Sequence, residues 1–182
     1  MIYLFLAEGF EEIEAITPLD ILRRAGADIK TVAVNGDGLR VEGAHGISVM
    51  ADMDIKDVNA DTADMIILPG GAKGTENLKA SAMLRDIILS VNERGAYIAA
   101  ICAAPTVLGD MGLLTKRRAT CYPSLAGELI EKGVKYKNDK VVFDGNFITS
   151  EGAGTAADFG FALMDKLFSR QDTDRLRLAM VY

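Results

Sequence analysis

Short stretches of uninterrupted apolar residues set the architecture of this chain. Ile2 to Leu6, Met65 to Leu68 and Tyr97 to Ile101 each run four or five residues without a charged side chain. A strand with no polar alternation is covered on both faces, and such strands belong to parallel sheets clad in helices. Helical patterns fall between them. One runs from about Glu11 to Ala25, with Ile13, Ile16, Leu19, Ile21 and Leu22 apolar, and Gly26 closes it. Another spans Ser81 to Arg94, with Leu84, Ile87, Ile88 and Val91 on one stripe, and ends at Gly95. Strands alternating with helices predict a doubly wound α/β fold with a mostly parallel central sheet.

The remaining segments fit this plan. Asp28 to Val34 reads as a second strand, stopped by the turn signal Asn35-Gly36-Asp37-Gly38. Leu39 to about Met53 reads as an excursion of short strands with His45-Gly46 at a turn. Pro18, inside the first helical pattern, predicts a kink or an internal start. Beyond residue 102 a helix reaches about Gly109, a short strand runs through Ala119-Thr120-Cys121, and a short helix covers Leu125 to Glu131. Two strands follow, Lys140–Phe143 and Asn146–Ser150, parted by Asp144-Gly145. The chain closes with helices from about Ala156 to Phe168 and Asp172 to Met180. No repeat or linker interrupts it, so residues 1–182 read as a single domain.

Composition narrows the function classes. The net charge of −6 speaks against nucleic acid or an anionic membrane as partner, since both select a basic face. No apolar run approaches membrane-spanning length. The first residues carry no basic flank and meet Glu8 at once, which reads as a first strand and not a signal peptide. Two cysteines make no disulfide framework, and a reducing cytoplasm is the expected location. One histidine and two separated cysteines predict no metal, and no cofactor motif is present.

Ligands of doubly wound sheets sit beyond the carboxyl ends of the strands. Three loops fall at such ends: Pro69-Gly70-Gly71, Cys102-Ala103-Ala104-Pro105 and Glu151 to Thr155. The second has the form of a nucleophile elbow, a reactive atom at a tight strand-to-helix turn between small residues. The hydrolase version carries glycines where Ala100 and Ala104 stand. Two readings of Cys102 are open. It is a small buried hydrophobe, or a thiol whose pKa a helix start lowers from about 8.5 into the range of roughly 3.5 to 7.5. Glu14 bears on the choice. Glu11, Glu12 and Glu14 cannot share one helical face. Glu11 and Glu12 read as a solvated first turn that suits the helix dipole. Glu14, between Ile13 and Ile16, reads either as solvated or as turned inward.

Five blocks, in order, resemble the ThiJ/PfpI superfamily: Ala7-Glu8-Gly9-Phe10-Glu11-Glu12-Ile13-Glu14, Arg23-Arg24-Ala25-Gly26, Leu68-Pro69-Gly70-Gly71, Ala99-Ala100-Ile101-Cys102-Ala103-Ala104-Pro105 and Thr149-Ser150-Glu151-Gly152-Ala153-Gly154-Thr155. Order and spacing match over nearly the whole chain. The branch that fits is that of the parkinsonism-associated protein deglycase and its bacterial relatives, the DJ-type proteins. The resemblance implies a flavodoxin-like three-layer sandwich and a homodimer. It implies that Cys102 is an oxidation-prone nucleophile and that Glu14 is the carboxylic acid hydrogen-bonded to its sulfur. Backbone N–H groups around Gly70, Gly71 and Ala103 would serve an oxyanion or a sulfinate. Arg24 resembles an arginine that approaches the cysteine across the dimer; its other reading is a solvated residue in a last helical turn.

One position departs from the pattern. Where family members carry a third catalytic residue, a histidine before a proline, this chain has Tyr122 before Pro123. Tyr122 reads as a hydroxyl donor to the site or as a packing aromatic. The single histidine, His45, falls where relatives carry an arginine near the dimer interface; a cysteine–histidine dyad within one chain is not expected, and the other reading has His45 reach a site across the dimer. Cys121 reads as a small strand residue, with a resolving thiol as the other reading. The function implied is a cysteine-dependent stress protein acting on reactive carbonyls, of glyoxalase or deglycase type. The alternative is a redox sensor or holdase-type chaperone in which Cys102 oxidises to a sulfinate. Thiazole monophosphate synthesis lacks a phosphate loop, and PfpI-type peptidase activity lacks the histidine.

Overall fold

The computed structural model describes residues 1–34 and 38–182. The predicted turn at Asn35-Gly36-Asp37 lies outside the described residues. Chain order is β1 (Ile2–Leu6), α1 (Glu12–Arg24), β2 (Ile29–Ala33), β3 (Arg40–Glu42), β4 (Ser48–Met50), β5 (Met53–Asp54), β6 (Met65–Leu68), α2 (Ala72–Ala80), α3 (Ala82–Glu93), β7 (Tyr97–Ile101), α4 (Pro105–Asp110), β8 (Arg118–Ala119), α5 (Ala126–Glu131), β9 (Lys135–Tyr136), β10 (Val141–Asp144), β11 (Phe147–Ser150), α6 (Ala156–Leu167) and α7 (Arg170–Ala179). Seven strands form one sheet in the order β10-β11-β7-β6-β1-β2-β5. All pairs are parallel except β10–β11, whose antiparallel hairpin forms one edge.

The sheet divides the core in two. In β7, Ile98 and Ala100 face a cluster shared with α3 and α4. Ala99 and Ile101 face the opposite cluster, built with α1 and α6. The same alternation runs through β1, where Tyr3 and Phe5 face one side and Ile2, Leu4 and Leu6 the other. Both faces are covered, which is why these strands read as continuous apolar runs. Strand order reverses at β1: β2 follows on one side and β6 on the other. That makes the carboxyl ends of β1, β6 and β7 the switch point at which such sheets bind ligands.

Several expectations change in the structure. Pro18 neither kinks the chain out of α1 nor starts a helix there; α1 runs through it. The proline leaves Glu14's carbonyl without its i+4 donor, and packing on α6 holds the helix. Ile13 and Ile16 are not core residues: they are 52% and 37% exposed. The buried face of α1 is instead Glu14, Ala15, Pro18, Leu19, Ile21 and Leu22. Helix α2 escapes the sequence pattern because its buried residues are Gly74, Thr75 and Leu78, which make no apolar stripe. The two-residue β9 escapes it for want of length, and β8 is Arg118–Ala119, two residues earlier than the strand end read at Cys121.

Gly160 lets α6 approach α1. A Cβ there would lie 2.6 Å from Ile21 Cδ1 and 3.1 Å from Pro18 Cα. Gly160→Ala is expected to lower stability by about 1–3 kcal/mol through overpacking. Ile21→Val in the same chain, which removes the crowded methyl, should recover part of the loss. Urea unfolding reads both; an unchanged midpoint for Gly160→Ala would show that α1 shifts freely on α6.

Candidate active site

The turn after β7 carries Cys102 in the left-handed region, at φ 65°. A non-glycine residue held there stores strain of order 1–3 kcal/mol and persists only where its surroundings fix it. Hydrogen bonds on both sides do so. The Cys102 N–H donates to the Ser150 carbonyl at 3.0 Å, and the Tyr122 N–H donates to the Cys102 carbonyl at 2.8 Å. The elbow is thereby tied to β11 and to the loop before Pro123.

Glu14 turns inward. It is 1% exposed, and its Oε2 accepts the Gly70 N–H at 2.9 Å. Its carboxyl lies beside the Cys102 thiol, close enough that each group shifts the other's proton affinity. Loss of solvent pushes Glu14 up to about 7, against the pull of its hydrogen bonds to Cys102 and Gly70, with the charge of Glu11 adding to the rise. Burial first, then the carboxylate beside it, pushes the Cys102 thiol up to about 12. The N–H groups of Ala103 and Gly71 act the other way, toward the thiolate. The expected lowering of the thiol by a helix start is therefore corrected. Helix α4 is a single short stretch, and desolvation together with Glu14 outweighs it. The two groups titrate as a pair: one proton leaves near neutrality, and the other stays between sulfur and carboxyl.

The backbone donors divide their work. The N–H groups of Ala103 and Gly71 lie on the sulfur's side. Gly70 does not, because its N–H is committed to Glu14. Gly70 matters for space: a Cβ there would lie 2.6 Å from Glu14 Oε2 and 2.8 Å from Cys102 Cβ. Gly71, at φ 91°, passes so close to the loop after β1 that a Cβ would meet the Gly9 carbonyl at 2.4 Å.

Gly152, which the sequence reading left without a role of its own, forms one wall. A Cβ there would lie 3.9 Å from Cys102 Sγ, 3.9 Å from Glu14 Oε1 and 3.5 Å from Tyr122 Cδ2. Its signal in the sequence was only the glycine-rich turn after β11. The Thr155 hydroxyl fixes this loop by accepting the Gly152 N–H at 3.1 Å. The Tyr122 ring flanks the same space and is 50% exposed.

The other expected residues lie elsewhere. Arg24 is on an exposed face of α1, paired with Asp20 at 2.7 Å, about 15 Å along the helix from Glu14 at 1.5 Å per residue. His45 sits in the turn between β3 and β4, with Nδ1 2.9 Å from Glu12 Oε2. Glu12 is not solvated as expected but 6% exposed, because the His45 backbone N–H donates to its Oε1 at 2.7 Å. Burial opposes its charge, yet the His45 ring and backbone N–H groups hold its carboxyl below the usual range. The Glu12 hydrogen bond, then the charge of Glu11, raises His45. Among the described residues, Glu11, Glu12 and His45 are the group whose donor atoms could share a metal ion. Cys121 is buried in the cluster shared with α3 and α4, its thiol donating to the Tyr122 carbonyl at 3.4 Å.

Comparison with known proteins agrees with this geometry. The sequence matches the DJ-1/PfpI family over residues 1–166. It is 38% identical to protein dj-1beta of Drosophila melanogaster over 167 residues, covering 91% of this chain and 88% of that protein. It is 34% identical to the Caenorhabditis elegans protein named glutathione-independent glyoxalase DJR-1.2, over 93% of this chain and 89% of that protein. The crystal structure of Drosophila melanogaster DJ-1beta superposes with a TM-score of 0.94 at 35% identity, covering 99% of this chain and 96% of that one. Schizosaccharomyces pombe DJ-1 does so at 0.93 and 30% identity, over 100% and 98%. With its mostly parallel sheet, left-handed cysteine elbow and buried glutamate, this chain belongs to the DJ-1/PfpI family.

Proposed function

We propose that this chain is a cysteine-dependent enzyme acting on small reactive carbonyls, of glyoxalase or deglycase type, with Cys102 as nucleophile and Glu14 as acid and base. The observation that carries the reading is the buried Glu14 carboxyl set beside the Cys102 thiol at the elbow, an acid raised to about 7 by its burial. The name of the nematode relative supports the substrate class. A base whose pKa lies near the working pH is the form general catalysis favours.

The chemistry balances on a 2-oxoaldehyde. Sγ attacks the aldehyde carbon as the thiol proton passes to the Glu14 carboxylate. Glu14 returns that proton to the new alkoxide, giving a hemithioacetal. Glu14 then takes the proton from the sulfur-bearing carbon while the neighbouring carbonyl oxygen gains one, giving an enediol; Glu14 returns a proton to the neighbouring carbon as the hydroxyl on the sulfur-bearing carbon loses its own, giving a thioester. The first carbon is oxidised and the second reduced, so no external electron acceptor is consumed. Water cleaves the resulting thioester to a 2-hydroxy acid and restores the thiol. Early glycation adducts, which release the same carbonyls, are substrates on the same logic. The Tyr122 ring flanks the space where these species would sit, at the position where an imidazole is absent.

A second copy of the chain is the partner this reading includes. Ile13 and Ile16 on α1, and Ile47 and Met50 on the neighbouring hairpin, leave large apolar side chains exposed, which supports a homodimer. Among the described residues no helix is long and apolar enough to cross a membrane.

The alternative reading is redox sensing with little turnover, or a holdase-type role. Two N–H groups aimed at the sulfur and the side-chain-free wall at Gly152 favour it, since a sulfinate needs donors and room. Mild peroxide should then add two oxygens to Cys102, seen by mass spectrometry. A thiol that stays reduced while methylglyoxal is consumed would favour the enzyme.

Cys102→Ser should abolish methylglyoxal consumption, and full retention would sink the proposal. In the parent, kcat/KM should rise as pH passes about 7, where Glu14 ionises. The residual activity of Glu14→Gln should lack that step.

Stability should move in the opposite sense. Glu14's folded pKa, about 7, lies above its ordinary 4.5. Its contribution to stability is complete below pH 4.5, declines as pH rises and is lost above 7. At about 1.4 kcal/mol per pH unit, the buried carboxylate costs about 3 kcal/mol at alkaline pH. Glu14→Gln should therefore unfold at higher urea than the parent at pH 8.5, with the advantage shrinking toward pH 4.5. Equal midpoints at both pH values would mean that the carboxyl is not proton-bound in the fold.

A further inference from the structure

The carbonyl-directed reading of Cys102 leaves the one histidine of the chain unused. We propose that His45, Glu11 and Glu12 form a binding site for a divalent transition-metal ion of the zinc, cobalt or nickel type, clasping the β3–β4 hairpin to the start of α1. The three side chains come from two elements more than thirty residues apart in sequence, and one donor atom from each lies within 4.8 Å of the others. Nδ1 of His45 is 2.9 Å from Glu12 Oε2 and 3.6 Å from Glu11 Oε1. Two donors each about 2.1 Å from a zinc ion at a tetrahedral angle stand about 3.4 Å apart. The two spacings from the imidazole bracket that value, so the histidine and each carboxylate already stand at ligand separation.

The site is also pre-oriented. Glu12 is 6% exposed, with its Oε1 held by the His45 N–H, which leaves Oε2 turned to the imidazole. Gly43 makes room: a Cβ there would lie 2.4 Å from Glu12 Oε1. The isolated bridge Phe10–Gly43 and the Ala44 N–H donated to the Phe10 carbonyl at 2.8 Å fix the turn against the helix start. The His45 side chain is 67% exposed in the single chain, so the fourth position is open to water or to a group from the second copy. An imidazole with two carboxylates selects transition metals over magnesium or calcium, which take oxygen donors. Two carboxylates also outweigh the positive end of α1. The sequence hid the site because its glutamates and histidine have no motif spacing.

Zinc titration by calorimetry tests the proposal, in a Cys102→Ser background that removes the competing thiol. Cobalt absorption, which reports a nitrogen ligand and coordination number, is the second readout. The chelator-treated protein should take up one equivalent of zinc per chain, and zinc should raise its Tm. His45→Ala should weaken binding at least about tenfold, the scale seen when a metal site loses a supporting group. It should also abolish the zinc-dependent rise in Tm. Glu11→Gln should weaken binding by a smaller factor. The His45 side chain is exposed and Glu11 is partly buried, so circular dichroism checks that both variants fold. No binding by the parent, or equal affinity and equal Tm gain in His45→Ala, would overturn the site. Loss of methylglyoxal consumption in Cys102→Ser leaves it untouched, so the two readings fail separately.

Discussion

A carboxyl group cut off from water, placed against a thiol, cannot ionise together with it. That constraint organises the molecule around Glu14 and Cys102. The pair keeps a proton that solvent would otherwise take, and the surrounding backbone is arranged around that proton. Gly70 gives its N–H to the carboxyl, Ala103 and Gly71 give theirs to the sulfur, and Ser150 holds the elbow. These groups come from the ends of three strands, β6, β7 and β11, so the sheet must be correctly ordered before the pair can meet.

The fold was legible because both faces of the sheet are buried. Continuous apolar runs marked β1, β6 and β7, and their alternation with helices fixed the class. Edges and surfaces were less legible. Helix α2 has no apolar stripe because its inner face is Gly74, Thr75 and Leu78, chosen for close approach to the loop after β1. Ile13 and Ile16 looked like core by their spacing, and the structure shows them outside. Periodicity reports an apolar face but not what covers it.

The site was legible in part for the same reason. Glu14 could be singled out because it sat between two isoleucines, although those isoleucines turned out to be the exposed ones and Glu14 the buried one. Glu12, which looked solvated, is closed over by a turn that arrives from more than thirty residues away. Burial of a charged residue by a distant loop leaves no local trace in sequence. Gly152 likewise became meaningful only as a distance to sulfur. Of the two influences on the thiol, the helix start could be seen in sequence, whereas the burial that outweighs it could not.

The backbone at Cys102 carries a consequence for how such a protein changes over generations. A left-handed residue with a side chain is a standing disadvantage, tolerated while sulfur at that point is selected. Glycine would sit there without strain. A lineage released from the need for the thiol therefore has a downhill route that discards the chemistry and keeps the fold. Among relatives, loss of the cysteine should accordingly be found in well-folded proteins, and its retention becomes a sign of continued use.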